Sequence, residues 1–86
     1  MKTYSVRIEP RVWKKLMALR ADLQEKILSA IENLENAPRP SGCKKLKDQG
    51  GLYRIRVGDY RVLYTVEDEI LVVLVVDVGD RKEIYD

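Results

Sequence analysis

Apolar and polar positions change period along the chain, and each change marks an element. Tyr4, Val6 and Ile8 alternate with polar neighbours over residues 2–8. A period of two predicts a strand with one buried face. Glu9-Pro10 ends it, and Pro10 suits the first turn of a helix, where its missing N–H costs nothing. Val12, Leu16 and Leu19 then recur at helical spacing, with Trp13 and Met17 on an adjoining stripe, which predicts a short helix over 10–20. Leu23, Ile27, Ile31 and Leu34, supported by Ala30, form the apolar face of a second helix that ends before Pro38 and Pro40. Asp22 with Glu25 resembles a capping box at its start. The short connection predicts an antiparallel helical hairpin. Its stripes fit packing against a sheet, and a partner-binding groove is the other reading.

Residues 38–51 read as a loop. Three strand patterns follow: Leu52 to Val57, Tyr60 to Val66 across a Gly58-Asp59 turn, and Ile70 to Val78 after Glu67-Asp68-Glu69. The last is apolar enough to be central in a sheet. Gly79-Asp80 interrupts it, leaving residues 81–85 as a tail or edge strand. The expectation is an α+β fold of order β-α-α-β-β-β, a helical hairpin on one face of an antiparallel sheet, forming one domain over residues 1–86.

Composition narrows the chemistry. The chain has 86 residues, one cysteine and no histidine. Cys43 cannot form an internal disulfide, the N-terminus lacks the apolar core of a signal peptide, and no apolar run approaches a membrane span. The expected compartment is the cytoplasm, with no membrane association. Without histidine, Ser-His and Cys-His catalysis are excluded, and a zinc site is disfavoured. No phosphate-binding glycine motif is present, so neither a metal nor a cofactor is implied.

The net charge of +2 conceals a segregation. Residues 39–61 carry Arg39, Lys44, Lys45, Lys47, Arg54, Arg56 and Arg61 against Asp48 and Asp59, a balance of +5, whereas residues 62–86 carry −5. Arg54 and Arg56 are two apart on one strand and share a face. If Val57 and Tyr60 flank the turn, Arg61 lies opposite Arg56. Like charges in that position are unfavourable unless an anion lies between them. Guanidinium groups hold phosphate through planar, paired hydrogen bonds. The plainer alternative pairs these arginines with Glu67, Asp68 or Glu69, or leaves them facing solvent.

The run Gly51-Leu52-Tyr53-Arg54-Ile55-Arg56-Val57-Gly58-Asp59-Tyr60-Arg61-Val62-Leu63-Tyr64 resembles the RelE branch of the RelE/ParE toxin superfamily. Val78-Gly79-Asp80-Arg81-Lys82-Glu83-Ile84-Tyr85 is similar to that family's closing motif, and Lys45-Leu46-Lys47 and the helical hairpin also fit. The resemblance implies a type II toxin that enters the ribosomal A site and cuts messenger RNA without a metal. The substrate's 2′-hydroxyl attacks the adjacent phosphate, leaving a cyclic phosphate and a 5′-hydroxyl. It also implies a RelB-like antitoxin that wraps the toxin.

By the same resemblance Arg54, Arg56, Arg61, Arg81 and Tyr85 occupy catalytic positions. Arg61 is expected to stabilise charge on the scissile phosphate, Arg81 to assist the leaving oxygen, and Tyr85 to stack on a base and orient the 2′-hydroxyl. Lys44, Lys45 and Lys47 are expected to contact phosphates of message or ribosomal RNA. The chain departs from the family in one respect: Arg54 and Arg56 stand where relatives carry lysines, one of them proposed as general base. Arginine stays protonated, so Arg56 is expected to act electrostatically. Two other functions fit the same fold: a ParE-like inhibitor of DNA gyrase acting by binding, and a catalytically inactive antitoxin-binding member.

Overall fold

The computed structural model describes residues 3–46 and 50–84. Its order is β1 (Ser5–Ile8), α1 (Pro10–Met17), α2 (Ala21–Glu32), a 3-10 turn (Asn33–Glu35), β2 (Lys44–Lys45), β3 (Tyr53–Val57), β4 (Tyr60–Glu67) and β5 (Val72–Asp80). The strands form one sheet in the order β1-β5-β4-β3-β2. All neighbours are antiparallel except β1 and β5, which run parallel in the register Ser5↔Val72 to Ile8↔Val75. Two helices separate β1 from the rest of the sheet in sequence, and a crossover of that kind can return a strand in the parallel sense.

Both helices lie on one face of this α+β sheet, α1 against β5 and α2 against β3. Val12 and Leu16 of α1 and Ile27 and Ile31 of α2 join Leu34, Ile55, Val62, Tyr64, Val73, Val75 and Val78 in a single core. Those helical residues are the ones that the apolar spacing selects. Trp13 and Met17, on the adjoining stripe, remain exposed. A register shift between Leu63 and Tyr64 puts Val76 in a bulge on β5, so that Val75 and Val78 both reach the core.

Several boundaries differ from the sequence pattern. α1 stops at Met17, and the Leu16 carbonyl near its end accepts the backbone N–H of Leu19 at 3.1 Å and Gln24 Nε2 at 2.9 Å. α2 starts at Ala21 after Arg20, with no side-chain cap, so Asp22 and Glu25 do not form the expected capping box: Asp22 lies inside the first turn. β5 starts at Val72 because Leu71 takes φ 54° in the preceding turn, which leaves Ile70 exposed at its tip. It then runs through Gly79-Asp80 without the expected break, and of the tail or edge strand expected over 81–85, residues 81–83 form a turn. Lys44 and Lys45, expected in a loop, pair with Arg54 and Tyr53 as a short edge strand.

The loop before β2 is fastened to the sheet by Arg39. Its guanidinium makes two hydrogen bonds to Asp68, at 3.1 and 2.8 Å, and lies over the Tyr53 ring at 5.1 Å. Tyr53 stacks on its cross-strand partner Tyr64 at 5.8 Å, and the Tyr64 hydroxyl donates to the Pro38 carbonyl at 2.8 Å. Among the described residues no helix is long and apolar enough to cross a membrane.

Candidate active site

The β3–β4 hairpin fixes the site. Gly58 takes φ 61°, the conformation needed at the first central position of a two-residue turn, and Val57 pairs with Tyr60. Register then follows along the ladder: Arg56 lies opposite Arg61, and Arg54 opposite Leu63. Because side chains alternate, Arg54, Arg56 and Arg61 share the face of the sheet that the helices leave uncovered, while Ile55 and Val62 enter the core.

These three arginines differ in environment. Arg54 is 5% exposed, a charged side chain in a buried position. Its pKa is lowered, first by burial and then by the positive charges of Arg56 and Arg61. The charges of Arg56 and Arg61 therefore reach Arg54. Arg61 donates from Nη1 to the carbonyl of Asp59 at 3.2 Å, and Arg56 is exposed. A guanidinium cluster of this kind can hold an anion with several acceptor oxygens, and a phosphodiester has them.

The same Asp59 carbonyl accepts the backbone N–H of Arg81 at 3.0 Å. One turn carbonyl thus connects Arg61 to Arg81, twenty residues later. Gly79, the β5 partner of Arg61, makes this possible: a Cβ there would lie 3.1 Å from Glu83 Cβ and 3.2 Å from Ile84 Cδ1. Residues 83–84 therefore pack directly on the strand, and Ile84 is buried.

Lys44 and Lys45 are exposed on β2, at the sheet edge beside β3. Lys44 is the cross-strand partner of Arg54, which extends the basic row to that edge. The structure thus brings Arg54, Arg56, Arg61 and Lys44 to one face of the sheet, with Lys45 adjoining and the Arg81 backbone joined to the hairpin turn through the Asp59 carbonyl. Lys47 and Tyr85 lie outside the described residues.

Two features escaped the sequence reading. The Asp59 carbonyl acts through its backbone, which no side-chain pattern reveals. Asp80-x-x-Glu83 carries the spacing of a capping box, the same spacing that Asp22 and Glu25 show.

A family model described as the ParE toxin of type II toxin–antitoxin systems, parDE, matches residues 6–85. The chain belongs to this toxin family. Among its relatives are proteins named RelE. It is 35% identical over 78 residues to the mRNA interferase toxin RelE of Escherichia coli K12, covering 85% of this chain and 77% of that protein. Its fold superposes on the archaeal RelE–RelB complex from Pyrococcus horikoshii with a TM-score of 0.83 at 33% identity, covering 95% of this chain and 99% of the other. The toxin–antitoxin complex RelBE2 of Mycobacterium tuberculosis gives a TM-score of 0.80 at 27% identity, over 92% and 99% of the two chains. The RelE-like α+β fold is the one expected from the sequence.

Proposed function

We propose that this chain is the toxin of a type II toxin–antitoxin pair, and that it cuts messenger RNA in the ribosomal A site. The observation that carries this reading is the placement of Arg54, Arg56 and Arg61 on the sheet face away from the helices, with Arg81 joined to Arg61 through the Asp59 carbonyl. The likeness to an mRNA interferase and to toxins in complex with their antitoxins supports it. The partners are then a RelB-like antitoxin, the ribosome, and message with ribosomal RNA. The compartment is the cytoplasm, where ribosomes and message meet.

In the reaction, the 2′-oxygen of the message attacks the adjacent phosphorus as the bond to the 5′-oxygen breaks. The products are a 2′,3′-cyclic phosphate and a 5′-hydroxyl. Arg61 and Arg56 neutralise the charge that grows on the phosphoryl oxygens, an interaction stronger in the transition state than in the ground state. Buried Arg54 adds a fixed positive charge beneath them. Arg81 neutralises the charge on the departing 5′-oxygen, which takes its proton from solvent. With arginines at Arg54 and Arg56, the proton of the 2′-hydroxyl passes to Tyr85 or solvent, because a guanidinium does not serve as a base at neutral pH. Lys44, Lys45 and Lys47 hold flanking phosphates.

The test is cleavage of a defined message by purified protein, with and without ribosomes. Cuts within codons that require ribosomes and are lost in Arg61→Ala and Arg81→Ala support the reading. Intact message, or variants that cut like the parent, defeats it. The ParE description of the matching family favours a second reading, inhibition of DNA gyrase by binding. A supercoiling assay with gyrase separates the two. Normal growth of cells that accumulate the folded chain would favour an inactive antitoxin-binding member.

A further inference from the structure

The turn that follows β5 is closed by a reciprocal pair of contacts. Asp80 Oδ1 accepts the backbone N–H groups of Lys82 and Glu83 at 2.9 and 3.0 Å. Glu83 Oε1 in return accepts the backbone N–H of Asp80 at 3.2 Å. The Asp80 carbonyl also accepts from the N–H groups of Glu83 and Ile84, both at 3.0 Å. This is the geometry of a helix capping box on a single turn, with Arg81 at its first position.

Arg81 depends on that turn in a way the other arginines do not. Its side chain is exposed and, among the described residues, makes no hydrogen bond or ion pair. Only its backbone is held, by the Asp59 carbonyl on one side and the capped turn on the other. The volume that its guanidinium can sweep is therefore set by the turn's geometry. We propose that Asp80 and Glu83 are positioning residues for Arg81, fixing through their reciprocal hydrogen bonds the turn that aims its guanidinium at the arginine face. The proposal rests on the role given to Arg81 in the reaction above.

Another contact reaches the same turn. Lys15 of α1 lies 3.0 Å from Asp77 and 3.8 Å from Glu83. The second is long and solvent-exposed, so it contributes little compared with the capping bonds. Burial of Ile84 anchors the end of the turn whether or not the cap is present. Loss of the cap should therefore loosen Arg81 without unfolding the core.

The experiment is single-turnover cleavage on ribosomes programmed with a defined message, alongside thermal unfolding of each variant. Asp80→Ala and Glu83→Ala should each slow cleavage by about three- to tenfold, the factor expected for losing one cap, with little change in apparent binding. Asp80→Asn and Glu83→Gln retain an acceptor oxygen and should restore the rate to within about twofold of the parent. Lys15→Ala should also stay within about twofold. In an Arg81→Ala background, Asp80→Ala should cost nothing further, because both act through one group. Should Asp80→Ala not fold, Glu83→Ala carries the same cycle.

An equal loss with and without Arg81 would mark a merely structural role and overturn the proposal. Full activity in both alanine variants beside a slow Arg81→Ala protein overturns the positioning role while leaving Arg81 in place. An Arg81→Ala protein that cuts like the parent overturns the proposal at its base, in the reading of the reaction.

Discussion

Arg56 and Arg61 lie directly opposite one another across the β3–β4 hairpin, and both lower the pKa of buried Arg54 by their charge. Like charges placed so cost about 0.2–1 kcal/mol in a sheet. Arg56→Gln should therefore leave the melting temperature unchanged or slightly raised, while message cleavage falls by about tenfold or more. Thermal unfolding and ribosome-programmed cleavage, measured on the same preparation, check both halves. A variant that loses stability and activity together would mean that Arg56 serves the fold.

Lys44 and Lys45 form the sheet edge beside the arginines, and both are exposed. Contacts from such residues to RNA phosphates weaken steeply with salt, by a slope of about 0.7 per contact for a single strand. The double variant Lys44→Ala/Lys45→Ala should bind programmed ribosomes more weakly at every message sequence, with a shallower salt dependence and an unchanged cleavage rate once bound. A parallel salt plot for parent and variant would remove these lysines from the RNA surface.

Tyr64 is fully buried, and its hydroxyl donates to the Pro38 carbonyl at 2.8 Å. Burial, with smaller contributions from Cys43 and Tyr53, raises its pKa above the ordinary 10.0. The fold therefore favours the protonated phenol. Its stabilisation is complete below pH 10.0 and is lost as pH climbs above that value, where unfolded tyrosine ionises. Tyr64→Phe should cost about 1 kcal/mol at neutral pH through the lost hydrogen bond, and should flatten the alkaline fall in stability. Denaturant unfolding between pH 7 and 11 gives both numbers, and an alkaline limb of the same steepness in Tyr64→Phe contradicts the assignment.

Gly79 lies opposite Arg61, and a methyl there would press on Glu83 and Ile84 at 3.1–3.2 Å. Gly79→Ala should shift the terminal turn by a few tenths of an ångström and cost about 1–3 kcal/mol, as overpacking does. Cleavage should slow as well, since the turn carries Arg81. Unfolding midpoints and single-turnover rates test this; an alanine variant with both values unchanged would show that residues 83–84 do not need the close approach.

Much of the fold was legible because its signals are local. The apolar spacing of Val12, Leu16, Ile27 and Ile31 named the buried face of the helices, and Gly58-Asp59 between alternating strands set the register that opposes Arg56 and Arg61. Boundaries were less legible. Ile70 has the apolarity of a strand residue, yet the positive φ of Leu71 keeps it in the turn. Two acidic pairs, Asp22/Glu25 and Asp80/Glu83, have the same spacing, and it is the second that caps a turn.

The sequence by itself determined the order of the two helices and the four main strands, the core-facing side chains and the grouping of Arg54, Arg56 and Arg61, since a period of two and a two-residue turn leave no other register. Tertiary structure alone decided the parallel docking of β1 on β5, the edge strand at Lys44–Lys45, and the return of Arg81 to the Asp59 carbonyl. Each of these depends on backbone groups meeting across long separations. Backbone N–H and C=O are nearly identical at every residue, so only the path of the folded chain selects which of them pair.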